Sequence, residues 1–210
     1  MDKNESYIYG LLITDGNLSL SSRNRGRIRL EVSEKDKDIV NKLMNIIPNS
    51  KKTKRIRNTN FKNKYSTVIF SNYRKEFRDK IIKQGFPIFD KTSLAAPPKE
   101  KYIESDFWRG VIDGDGSLGI TSNKEPFISL VTKSEKLKNA FLYFLKVNFG
   151  LNKKLHRNKR DNCYNITIKN EEAILLIKKL YYRNCFGLDR KIKIANSLSD
   201  WKRTKKKRFK

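Results

Sequence analysis

Apolar and polar positions switch between a helical and a two-residue period along this chain, and they do so twice in the same order. Residues 5–15 form a largely apolar helical run ended by Gly16, the residue that most easily takes the left-handed position after a helix. Leu18 and Leu20 then oppose Ser19 and Ser21. After a turn at Arg25-Gly26, Ile28, Leu30 and Val32 oppose Arg27, Arg29 and Glu31, which predicts a hairpin with one buried face. Ile39, Val40, Leu43, Met44 and Ile47 return at helical spacing. A second hairpin is predicted over 52–57 and 64–70, and a helix over 73–84.

The same order restarts about 100 residues later. Ile8-Tyr-Gly-Leu-Leu-Ile-Thr-Asp-Gly16 returns as Trp108-Arg-Gly-Val-Ile-Asp-Gly-Asp-Gly116, and Val32-Ser-Glu-Lys35 as Val131-Thr-Lys-Ser-Glu-Lys136. Tyr65 is echoed by Tyr164, and Phe89-Asp-Lys91 by Leu188-Asp-Arg-Lys191. Four landmarks in register indicate two tandem copies of one unit. The second copy predicts helices over 104–115, 135–149 and 171–183, strands near 117–121, 127–132, 153–157 and 163–168, and a further helix over 190–201. Gly85, Pro87, Pro97 and Pro98 interrupt regular structure between the copies. The expected organisation is therefore an α+β chain of two αββαββα units at 1–84 and 104–201, a linker at 85–103 and a basic tail at 202–210.

Composition narrows the partner. The 210 residues hold 48 Lys plus Arg against 22 Asp plus Glu, a net charge of +26, which calls for a polyanion. AT-rich coding could account for many of the lysines, but not for arginines alternating with apolar residues. Hydrophobic residues at 37% suffice for a core. No run reaches the ~18 apolar residues of a membrane span, and the N-terminus lacks signal-peptide order, so a soluble intracellular protein is expected. Its start at Met1, with no intein splice residues, suggests a free-standing or intron-encoded frame. Cys163, Cys185 and the sole His156 cannot build a His/Cys zinc site, so any metal must sit on oxygens.

Asp15 and Asp115 each end a predicted helix, where the dipole disfavours a carboxylate by ~0.3–1 kcal/mol. A cation reverses that sign, and hard oxygens suit Mg²⁺, with Mn²⁺ as a substitute. Asp-Gly alone would be ordinary turn chemistry; its recurrence at one point of the repeat favours function. Gly10 with Thr14, and Gly110 with Gly114, place small residues one turn apart, so the two helices can cross closely there and bring the acids together. Asp113-Gly-Asp-Gly-Ser117 begins like a calcium loop, but Leu118 and Lys124 stand where Gly and Glu are needed.

The segments Gly10-Leu-Leu-Ile-Thr-Asp-Gly16 and Gly110-Val-Ile-Asp-Gly-Asp-Gly116 resemble the motif of the LAGLIDADG homing endonucleases in their single-chain, two-motif form. Ile13 departs from the acidic residue of that motif. The resemblance covers residues 5–200. It implies two pseudo-twofold-related units whose antiparallel sheets form a DNA-binding saddle, in a monomeric, Mg²⁺-dependent enzyme that cuts both strands of a long, nearly asymmetric site. It implies catalytic and metal-binding roles for Asp15 and Asp115, with carbonyls of Thr14 and Gly114 as further ligands and basic assistance from Lys91 and Lys191. Glu34 and Lys133 fall near a polar position behind the metals. A maturase that binds intron RNA, or a DNA-binding regulator, is the alternative on the same fold.

Recognition is expected on the polar strand faces, through Ser19, Ser21, Arg23, Arg27, Arg29, Glu31, Arg55, Arg57, Thr67, Thr121, Ser129, Asn165 and Thr167. A two-stranded ribbon fits the major groove, where Arg pairs with guanine O6 and N7. Lys51, Lys52, Lys153 and Lys154 are expected in loops, contacting phosphates.

Overall fold

Asp2 opens the first helix, α1 (Lys3–Asp15), with a capping box: its carboxylate accepts from the Glu5 N–H at 2.8 Å and the Glu5 carboxylate from the Asp2 N–H at 3.0 Å. The computed structural model of the protein describes residues 1–23, 25–59 and 62–203; the tail beyond Arg203 lies outside the described residues. After α1 come β1 (Gly16–Ser21), β2 (Arg25–Ser33), α2 (Lys37–Ile46), β3 (Ser50–Thr59), β4 (Lys62–Asn72) and α3 (Lys75–Lys83). A short helix, α4 (Lys91–Leu94), lies within the expected linker. The second unit contains α5 (Glu104–Asp115), β5 (Gly116–Ile120), β6 (Pro126–Thr132), α6 (Glu135–Phe149), β7 (Tyr164–Lys169), α7 (Asn170–Leu180) and α8 (Asp189–Leu198).

The strands make two antiparallel sheets, ordered β1-β2-β4-β3 and β5-β6-β7. Leu18, Ile28, Leu30, Val68 and Phe70 bury one face of the first; Leu118, Ile128, Leu130, Ile166 and Ile168 bury one face of the second. Alternation leaves the polar face of each sheet open. One hydrophobic core runs through both units, from Tyr7 on α1 to Leu198 on α8.

The strand expected over 153–157 is not formed. Burial still alternates there, with Leu151, Lys153 and Leu155 partly covered and their neighbours exposed, but the segment makes no ladder with β7. Arg157 leaves the strand path as well: its guanidinium donates to the Lys133 carbonyl at 3.1 Å and stacks 4.9 Å from the Tyr164 ring. Gly16 also departs from expectation, because its φ of −73° is extended rather than left-handed. Glycine is needed there for space, since a Cβ would crowd the Leu12 carbonyl.

Candidate metal centre and strand faces

The crossing of α1 and α5 sets the site. A Cβ on Gly10 would overlap the Phe107 carbonyl oxygen, and one on Gly110 would overlap the carbonyl oxygen of Tyr7. These contacts are reciprocal across the 100-residue offset, so the helices meet backbone to backbone about a pseudo-twofold axis. One turn on, Thr14 fills the space opposite Gly114, where a Cβ would overlap the Thr14 hydroxyl and lie 3.4 Å from Asp15 Oδ2. The glycines thus allow a separation at which the two terminal carboxylates feel each other.

Asp15 and Asp115 keep solvent-exposed side chains, and Asp15 lines a crevice whose wall also includes Gly114 and Gly116, the neighbours of Asp115. Partial desolvation there, then repulsion from Asp115, push the Asp15 carboxyl up to about 6, against the pull of Lys91 and Lys191. Asp115 is raised by desolvation, opposed by the same two lysines. The donors are hard oxygens, and a divalent cation would relieve both the repulsion and the dipole mismatch, so the residues fit Mg²⁺. Among the described residues no group of three or more His, Cys, Asp or Glu side chains could hold a metal alone. Its remaining ligands would have to be carbonyls, water or phosphate.

Lys91 and Lys191 reach the two helix ends in unequal ways. Half-buried Lys91 donates to the Thr14 carbonyl, one of the expected metal ligands. Lys191, only 4% exposed, donates to the carbonyls of Ile112, Asp113 (2.9 Å) and Gly116 (2.8 Å). An ammonium has three donors, so Lys191 is saturated as a cap on α5. Desolvation lowers the pKa of both lysines, opposed by the nearby aspartates.

Glu34 and Lys133 do not enter this crevice. Glu34 Oε2 lies 3.2 Å from Lys54 Nζ, and Lys133 is exposed, its carbonyl held by Arg157. Asp36 lines the crevice instead, paired with Arg190 through contacts of 3.0 and 3.2 Å. Asp113, two residues before Asp115, is 3% exposed and accepts from the Tyr7 and Tyr181 hydroxyls, each at 2.7 Å, and from the Leu188 N–H at 2.9 Å. It pins α1, α7 and the start of α8 onto α5. Ile13 at the matching point of α1 is packed in the core. Sequence offers no sign of Asp36, whose partner is far along the chain, and offers Asp113 only as the start of a calcium-like loop, although its place in the second motif was a signal for it.

Cross-strand register places Ser19, Ser21, Arg27, Arg29, Glu31, Arg55, Arg57 and Thr67 on the open face of the first sheet. Arg23 is exposed in the β1–β2 turn with φ 56°. Thr67 is only 5% exposed, and its hydroxyl is spent on Glu31 Oε1 at 2.7 Å, so it supports this face from below. Glu31 also receives Arg29 and, at 2.8 Å, Arg57. Lys51 and Lys52 belong to β3, not a loop, and point to opposite faces. Lys52 turns to the helix-covered side and donates to Asn41 at 2.7 Å. The second sheet's open face carries Ser117, Ser129, Asn165 and Thr167. Thr121 lies beyond β5 and closes a turn, its hydroxyl accepting from the Glu125 N–H at 3.2 Å. Lys153 and Lys154 lie in the irregular 151–163 segment, where Lys154 is exposed.

Two similar units about a glycine-lined helix crossing, with an acid at each helix end and an open strand face on each side, define a duplicated α+β class of fold. Residues 103–181 match the LAGLIDADG-like domain family, and residues 4–73 match the WhiA LAGLIDADG-like domain family. The chain belongs to the LAGLIDADG family, with one motif in each unit. The fold is similar to that of the homing endonuclease I-WcaI bound to its DNA recognition sequence, at TM-score 0.66 and 17% identity over 92% of this chain and 85% of that one. It is also similar to the I-LtrWI LAGLIDADG homing endonuclease bound to target DNA (TM-score 0.50, 11% identity, 91% and 86% covered). A third likeness is to the N-terminal LAGLIDADG domain of DUF199/WhiA (TM-score 0.53, 17% identity, 85% and 80% covered). No curated protein matches the chain in sequence. Among the described residues no helix is long and apolar enough to cross a membrane.

Proposed function

We propose that this chain is a site-specific endonuclease acting on double-stranded DNA with divalent cations. The observation that carries this reading is the meeting of Asp15 and Asp115 at the ends of the crossed helices. In a chain of net charge +26, two mutually repelling acids would weaken the hold on a phosphate backbone unless a cation intervenes. Asp15 and Asp115 would hold that cation, with the Gly114 carbonyl and the remaining lone pair of the Thr14 carbonyl as further ligands. Mg²⁺, or Mn²⁺ in its place, supplies Lewis-acid polarisation of the scissile phosphate and in-line geometry. Lys91, with donors to spare beyond its bond to Thr14, places positive charge where the phosphate gains negative charge. Lys191 orients the end of α5 and with it Asp115. The open strand faces grip the duplex on either side, and the solved structures of similar fold named above include two homing endonucleases bound to DNA.

A second reading is a DNA-binding regulator that does not cut. It is favoured by the WhiA-like match of the first unit and by Ile13 in its motif. Incubating the protein with a randomised duplex library in Mg²⁺, beside Asp15→Asn, Asp115→Asn and a Ca²⁺ control, separates the two. Sequence-specific double-strand cuts lost in either variant support the endonuclease. Binding without cutting under every metal condition supports the regulator, or a maturase if intron RNA competes better than duplex DNA.

A further inference from the structure

The two open strand faces are chemically unlike. The first carries Arg25, Arg27, Arg29, Arg55 and Arg57 around Glu31, the one acid on its strands among the described residues. Glu31 holds Arg29 and Arg57 from one carboxylate, itself fixed by the Thr67 hydroxyl, so two guanidinium forks are oriented before any ligand arrives. Each bond to Glu31 uses one Nη2 and leaves further N–H donors on the fork free. The second face carries Ser117, Ser129, Val131, Asn165, Thr167 and Lys169, with no arginine on its strands among the described residues. Val131 is 41% exposed, although it stands on a strand whose alternate residues are buried. It lies directly opposite the exposed Asn165, whose Oδ1 accepts from the Thr167 hydroxyl at 3.1 Å and whose side-chain amide also carries two N–H donors.

We propose that the two sheets read half-sites of different base chemistry, guanine beneath the first and adjacent adenine and thymine beneath the second. Guanine offers O6 and N7 as a paired acceptor to a guanidinium fork. Adenine offers N7 and N6 to an amide, and thymine offers a C5 methyl to an apolar side chain. The pairing of Val131 with Asn165 presents one of each within the reach of neighbouring strands. The inference rests on the duplex-DNA reading and not on cleavage.

The test is selection of bound duplexes from a randomised library in Ca²⁺, followed by the same selection with variants. The expected consensus is guanine-containing in one half and A·T-rich in the other. Arg29→Gln with Arg57→Gln lowers the guanine preference about tenfold, in the first half alone. Val131→Ser with Asn165→Ala relaxes the A·T preference in the second half alone. All of these substitutions lie on open faces, and circular dichroism melting confirms that each variant is folded. Equal guanine content in both halves, or first-sheet variants that alter the second half, would overturn the inference while leaving duplex binding intact. No enriched duplex at all would overturn the DNA reading and the inference with it.

Discussion

The ionisation of Asp15 works against the fold. Its carboxyl is held at about 6 in the folded chain against an ordinary value of 3.8, so between those pH values the folded state binds more protons than the unfolded one. Stability therefore falls as pH rises through that window. Without divalent metal, Asp15→Asn is expected to melt higher than wild type at pH 7–8, and the difference should vanish below about pH 4; a pH series of thermal melts with EDTA measures it. With Mg²⁺ present, cleavage should fall as pH drops below about 6, because the proton competes for the same oxygens. The buried pair Asp106–Arg109 holds the second unit together. Arg109 is fully buried and also donates to the carbonyls of Leu180 and Phe186, while Asp106 accepts from Tyr182. Asp106→Ala strands that guanidinium and should cost about 3–5 kcal/mol in urea titrations. At this scale, legibility followed repetition. Asp15 and Asp115 stood out because each had a counterpart, whereas the Asp36–Arg190 pair joins residues 154 apart with none.

Element by element, the helix crossing is the least tolerant feature. A side chain at Gly110 meets backbone of α1, which cannot rotate away as a side chain can, so Gly110→Val is expected to destabilise by about 3 kcal/mol or more. Chemical denaturation of Gly110→Val beside Gly119→Val provides the comparison, since a Cβ on Gly119 meets only the Phe127 ring at 3.4 Å. The two capping lysines should separate structure from chemistry. Lys191→Met leaves three carbonyls without their donor, at about 1–3 kcal/mol for each one that stays buried. Lys91→Met removes one bond and should change stability by about 0.5–1.5 kcal/mol, while slowing cleavage of one strand and leaving nicked product. Equal loss of stability in both variants would contradict this division. Most elements were legible because burial on one face imposes a period, as in β2 and α6. The segment 153–157 misled because its burial does alternate, while a strand also needs a ladder, and the backbone bonds that follow it close a local turn instead, from the Asn158 N–H to the Cys163 carbonyl at 2.8 Å. Gly16 misled for a related reason: local preference suggested its conformation, but the space left by Leu12 determined why glycine stands there.

Across the whole molecule, repetition in sequence does not make two independent bodies. The core is continuous through both units, and α1 and α5 bury their motif faces against each other. Outside the crossing, the units are tied by Lys42 to Asp189 at 2.6 Å, by the Asp189 N–H to Asp38 at 3.0 Å, and by Asp36 to Arg190. Ser134 at the start of α6 donates to Ala95, just beyond α4, on the other side. Opening either unit alone would expose Tyr7, Leu11, Phe107 and Val111, each at most 1% exposed in the folded chain, and burial of such side chains is worth ~1.5–3 kcal/mol apiece. A half-folded state therefore lacks the surface needed to sustain it, and unfolding should be a single cooperative transition. The chain allows a direct check, because Trp108 and Trp201 both lie on the second unit's side while helices occur in both. Tryptophan fluorescence and far-ultraviolet circular dichroism should give coincident urea transitions with one midpoint. A fluorescence midpoint distinct from the dichroism midpoint would show that the second unit unfolds by itself, and that the crossing of α1 and α5 couples the two acids in space without coupling the two units in stability.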